Sequence, residues 1–171
     1  MKRKLLSLFL VLFMVFVFTG CGNSGEPSGE DVGTIVIGET EPLSGPLAAY
    51  GEPTYNAAQI AVQTINDNGG IDVGGKTYKF ELKAYDDQFN PTLSLQNIKK
   101  LVEVDKAQFL VGFTSGSELV PAFDYIQQNK IVTVVGGAPD KNITSTPNDY
   151  VFRMRPPADY TGSEVGKYIY N

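Results

Sequence analysis

A doubly wound α/β fold, with a parallel sheet covered by helices on both faces, is predicted by three observations. Runs such as Thr34-Ile35-Val36-Ile37-Gly38 are apolar and β-branched without polar alternation, as strands buried on both faces require. Between such runs lie segments with apolar residues at i, i+3, i+4 and i+7, the spacing of an amphipathic helix. The two kinds of segment alternate along the chain, and single crossover helices between strands build a parallel sheet.

Thr34–Gly38 is the first expected strand. Ala58, Ala61, Val62 and Ile65 then mark one face of the first helix. In the second strand Tyr78, Phe80, Leu82 and Ala84 alternate with Lys79, Glu81 and Lys83, which leaves one face wet and places the strand at an edge. Asn90-Pro91 offers an N-cap and a first-turn proline to a helix carrying Leu95, Ile98, Leu101 and Val102. Phe109–Val111 is the third strand, and Leu119, Ala122, Phe123 and Ile126 share a helical face after it. Ile131–Val135 is the fourth strand, and Val151–Arg155 alternates as a fifth on the opposite edge. Buried central strands flanked by a half-wet second strand favour the order 2-1-3-4-5 in a three-layer α/β/α arrangement, with ligands bound beyond the carboxyl ends of the strands.

Composition narrows the chemistry. The 171 residues, 42% hydrophobic and 19% charged, suit one globular domain. Histidine is absent and cysteine occurs once, which excludes a multi-ligand zinc site, a Cys/His nucleophile, a Ser-His-Asp triad and a disulfide framework. No cofactor or metal is expected. Net charge is −5; without Lys2, Arg3 and Lys4, 11 basic residues stand against 19 acidic ones, a balance of −8 that leaves no nucleic-acid footprint.

Those three basic residues precede Leu5–Phe18, a greasy run interrupted only by Ser7 and shorter than the ~20 residues of a bilayer-spanning helix, so residues 1–20 read as a secretory signal. The run ends at Phe18-Thr19-Gly20-Cys21, which resembles a bacterial lipobox. Cys21 is then the lipidated N-terminal residue of an extracytoplasmic protein held at the membrane, although Phe18 stands where a branched aliphatic is usual. Residues 21–33 are rich in Gly, Ser, Glu and Pro and form a flexible tether with a reach of about 20 Å.

Gly70-Ile71-Asp72-Val73-Gly74-Gly75-Lys76-Thr77 satisfies the phosphate-loop pattern GxxxxGK[ST]. Its context is inverted: a helix precedes it and a strand follows, so no helix N-terminus converges on a phosphate, and the segment reads as a Gly-rich reversal. Asn142-Ile143-Thr144 matches a glycosylation sequon but, behind a lipobox, reads as a surface loop.

Candidate ligand residues lie where the strands end. Thr114-Ser115-Gly116-Ser117 leads into a helix, so its hydroxyls and N–H groups either receive a carboxylate or serve as ordinary capping by Ser117. Gly136-Gly137-Ala138-Pro139 either lets a ligand approach the backbone or simply turns the chain. Tyr50 either lids an apolar or zwitterionic ligand or packs on the following helix. Asp86-Asp87 after the second strand either forms part of an acidic pocket or, as is commoner, is a solvated or capping pair.

Taken together, Pro42-Leu43-Ser44-Gly45-Pro46-Leu47-Ala48-Ala49-Tyr50-Gly51, Ile65-Asn66-Asp67-Asn68-Gly69-Gly70-Ile71, Tyr85-Asp86-Asp87, Val111-Gly112 with Thr114-Ser115, and Val151-Phe152-Arg153 resemble the type I periplasmic binding proteins of the branched-chain amino acid transporter class. The resemblance covers Thr34 to Asn171. It implies the first lobe of a two-lobed clamp, a periplasmic binding protein-like I fold that carries out no catalysis. The ligand's carboxylate would lie at Ser115, Gly116 and Ser117, backbone contacts at Gly137 and Ala138, and Tyr50 in the cleft wall. Residues 34–155 are then the ligand-binding lobe, and residues 156–171 the hinge at Pro156-Pro157 with a first helix of a second lobe. The implied partners are an amino acid or related amide and a membrane ABC permease, with a sensory module or a nucleotide-using enzyme dependent on Lys76 as rivals. Two residues depart from the pattern: Pro139 replaces a hydroxyl residue as a ligand contact, and Gly116 replaces a serine.

Overall fold

The computed structural model describes residues 32–170. The expected leader at 1–20, lipidation at Cys21 and nearly all of the tether lie outside the described residues. The tether's last residue, Gly33, instead opens strand β1 (Gly33–Glu41), where it pairs with Tyr78.

The remaining elements are helix α1 (Ala48–Asp67), β2 (Ile71–Val73), β3 (Lys76–Asp86), α2 (Pro91–Glu103), β4 (Phe109–Gly112), α3 (Gly116–Leu119), a 3₁₀ turn (Val120–Ala122), α4 (Phe123–Asn129), β5 (Val132–Val135), α5 (Asn142–Ser145), β6 (Val151–Arg153) and α6 (Ala158–Tyr170). The sheet runs β2-β3-β1-β4-β5-β6. Its four longer-range pairings are parallel, from Gly33↔Tyr78 through Glu41↔Asp86 between β1 and β3 to Thr133↔Val151 between β5 and β6. The parallel strands therefore stand in the doubly wound order read from the sequence.

The Gly-rich reversal contains an added strand. β2 runs antiparallel to β3, and Gly74 and Gly75 between them have φ of 64° and 84°, the two positive values of a tight primed hairpin turn. The phosphate-loop letters thus fold as a β-hairpin. β2 also covers the first three residues of β3, so this strand is a true edge only from Lys79 onward, where Lys79 and Glu81 are exposed.

Successive residues of β1 serve opposite faces. A side chain at Gly38 would meet Leu110 Cδ2 at 2.8 Å and Leu101 Cβ at 3.2 Å, so only glycine lets α2 approach β1 this closely. On this face Ile98, Leu101, Leu110, Phe113, Leu119 and Ile126 are fully buried and form the centre of the core. Ile37 lies on the other face with Phe80, Leu82 and Val111, beneath Ala58, Val62 and Ile65 of α1. That layer is looser: Gly51 is the buried residue of α1.

Asn90 caps α2 as its sequence requires, its Oδ1 accepting from the Thr92 and Leu93 N–H groups with Pro91 in the first turn. The segment from Leu119 to Ile126 buries all four expected apolar residues but is not one helix. Pro121 lacks an N–H, and the chain tightens into the 3₁₀ turn before α4 resumes.

Candidate functional site

The carboxyl ends of β1, β4 and β5 and the segment after β6 open onto a crevice of about 580 Å³. Leu47, Tyr50 and Thr54 reach it from the start of α1, and Phe89 from the turn after β3. Thr114 and Ser115 follow β4, Gly137, Pro139 and Asp140 follow β5, and Arg155 follows β6. Tyr50, Ser115, Gly137 and Pro139 are thus brought together as lining residues. Tyr50 is 65% exposed at the crevice rim.

Gly116, Ser117 and Ala138 do not line the crevice. Ala138 is fully buried in the core. Ser115, not Ser117, is the N-cap of α3: its Oγ accepts from the Ser117 N–H at 3.2 Å, while its own N–H donates to Glu118 Oε2 at 2.8 Å, a reciprocal capping box. The Gly116 N–H donates to Asp140 Oδ2 at 2.8 Å. A Cβ on Gly116 would come within 2.8 Å of Asp140 Cβ and 2.7 Å of Asn142 Oδ1, so glycine rather than serine fits here. All three N–H groups expected to receive a ligand carboxylate are therefore engaged by oxygens of the chain itself.

Two aspartates after β3 divide the work. Asp86 accepts from the Leu43 N–H, Ser44 hydroxyl and Gln88 N–H and so fixes the loop that carries α1 to the crevice. Partial burial opposes ionisation of this carboxyl, but those hydrogen bonds prevail and its pKa falls below the ordinary value. Asp87 is fully buried, accepting from the Phe89 N–H at 2.9 Å and the Thr40 hydroxyl at 3.2 Å. Neither is merely solvated.

Below the crevice floor lies an acidic cluster, of which sequence reading singled out only Asp87. Glu39, Glu41, Asp87 and Glu118 are each at most 1% exposed. Glu41 Oε2 accepts from the Thr114 hydroxyl at 2.6 Å, which ties the cluster to the crevice lining. Both oxygens of Glu39, Oε1 of Glu41 and Oε1 of Glu118 have no hydrogen-bond partner. Burial and the neighbouring Glu41 push Glu39 up to about 8. Burial and the charge of Asp87 push Glu41 up to about 7 against the Thr114 hydrogen bond. Burial and the charge of Asp87 push Glu118 up to about 8, and Asp87 is raised as well, chiefly by burial. Among the described residues no set of three or more potential ligands is placed to hold a metal ion. The available signal was two glutamates, Glu39 and Glu41, at the end of a strand destined for burial in a parallel sheet.

Residues 34–171 match the periplasmic binding protein family. The leucine-specific-binding protein of Salmonella typhimurium is 28% identical over 169 residues, covering 99% of this chain and 42% of that protein. An amino acid binding protein of Pseudomonas aeruginosa is 31% identical over 137 residues, 80% of this chain and 36% of that one. The chain thus spans about two fifths or less of the length of these relatives. Among solved structures, the branched-chain amino acid transporter substrate-binding protein of Streptococcus pneumoniae, in complex with isoleucine, superposes with a TM-score of 0.65 at 29% identity over 72% of this chain and 34% of that one. A type 1 periplasmic binding protein of Bordetella pertussis gives 0.68 at 26% identity, over 80% and 37%. With a parallel sheet in the doubly wound order, a crevice at the strand ends and a family match across the described body, this chain belongs to the periplasmic binding protein family and has its type I fold.

Proposed function

We propose that this chain is the ligand-binding first lobe of an extracytoplasmic substrate-binding lipoprotein. It would be held at the membrane through Cys21 and deliver a branched-chain or related amino acid to an ABC permease, with no chemistry of its own. The observation that carries the reading is the crevice at the strand ends, walled by Leu47, Tyr50, Phe89 and Pro139 and floored by the Thr114 and Ser115 hydroxyls. Apolar walls around a few polar groups suit a small molecule with an aliphatic body. The isoleucine complex of the Streptococcus pneumoniae relative supports the same ligand class.

Residues 156–171 are read as the hinge and the first helix of a second lobe. α6 buries none of its residues, and it exposes Tyr160, Val165, Tyr168 and Ile169. Ligand held by one lobe then favours the closed state through contacts with the other, which is what a transporter reads. Uptake of labelled leucine, isoleucine and valine by cells with and without the gene tests this directly, alongside calorimetric titration of the same amino acids. Unchanged uptake of all three, with no heat on titration, refutes the transport reading.

A further inference from the structure

The crevice carries two charged side chains, Arg155 and Asp140. Neither takes part in the ion pairs that join Lys83 to Glu81 and Lys167 to Glu164. Arg155 is exposed and spends one donor, Nη1 to the Gly137 carbonyl at 2.8 Å, leaving the rest of its guanidinium fork available. Asp140 spends Oδ2 on the Gly116 N–H, while among the described residues no group donates to Oδ1. The first-turn N–H groups offer an anion nothing, because Glu118, Asp140 and Ser115 already accept from Ser115, Gly116 and Ser117. A carboxylate placed there would also face the Asp140 carboxylate.

We infer that the crevice recognises a zwitterion through side chains, with Arg155 holding the ligand's carboxylate and Asp140 facing its ammonium. This rests on the ligand-binding reading above and deepens it. The planar guanidinium takes a carboxylate through paired hydrogen bonds, and the Asp140 Oδ1 with the Thr114 and Ser115 hydroxyls suits an ammonium's three donors. The aliphatic body lies against Tyr50 and Phe89.

The test titrates L-leucine, L-leucinamide, which lacks the carboxylate charge, and 4-methylpentanoate, which lacks the ammonium, into the full chain, with amide shifts of Thr114, Ser115 and Gly137 as the readout. Arg155→Gln keeps a donor for the Gly137 carbonyl and is expected to weaken leucine at least about tenfold while leaving leucinamide nearly unchanged. Asp140→Asn keeps an acceptor for the Gly116 N–H and is expected to weaken leucine by a similar factor while sparing 4-methylpentanoate. Arg155→Lys keeps the charge and retains the preference for leucine over leucinamide. Equal losses for leucine and its amide in Arg155→Gln, or no loss, overturn the inference and leave the ligand class standing. A parent chain that binds none of the three overturns the ligand class itself and the inference with it.

Discussion

Replacing Glu39 by glutamine removes one proton-binding group from the buried cluster while keeping the length and shape of the side chain. Glu39 is 1% exposed, neither of its oxygens is hydrogen-bonded, and its carboxyl rises from 4.5 to about 8 on folding. Between those values the folded chain holds a proton that the unfolded chain has released. Folding then takes up a proton, so stability falls as pH rises. Below about 4.5 both states are protonated and the group adds no slope; above about 8 both are ionised and the full cost is present. At about 1.4 kcal/mol per pH unit that cost is on the order of 5 kcal/mol. Glutamine does not titrate. Its buried amide, if unpaired, costs about 1 to 3 kcal/mol at every pH, so the comparison rests on slope rather than offset. Urea unfolding at a series of pH values measures both curves. Between about pH 5 and 8 the Glu39→Gln curve is expected to fall less steeply than the parent's by about 1.4 kcal/mol per unit. Parallel curves would refute the reasoning, since they would mean that Glu39 is ionised in the folded chain.

Asn90→Ala removes the acceptor for two N–H groups at the start of α2 and is expected to cost about 1 kcal/mol in urea unfolding. Gly51→Ala sets a Cβ 2.3 Å from the Pro42 carbonyl oxygen and is expected to cost about 1 to 3 kcal/mol. Gly162→Ala, in open space on α6, is expected to raise helical circular dichroism instead. Magnesium-ATP is expected to leave the thermal midpoint unchanged in both the parent and Lys76→Ala, because the phosphate-loop letters form a hairpin; a shift lost in Lys76→Ala would contradict that.

Sequence alone determined the strand order, the α2 cap at Asn90-Pro91, the apolar face from Leu119 to Ile126 and the placing of the crevice at the strand ends. Each follows from periodicity or capping chemistry within a few residues, or from the handed crossover that parallel strands require. The tertiary structure decided which groups are free to meet a ligand. Asp140 reaches the Gly116 N–H from 24 residues away, and Thr114 meets Glu41 from 73 away. Sequence spacing carries no trace of such meetings, because they depend on how loops from separate strands converge. For the same reason the sequence left Ser115 and its neighbours open between an anion site and a helix cap, which Glu118 and Asp140 decide by occupying the N–H groups, and Arg155 looked like one more residue of an alternating edge strand. The burial of Glu39 and Glu41 is the other outcome of packing: local pattern marks them as charged, and the elements closing over the ends of β1 and β4 remove the water that would have kept them so.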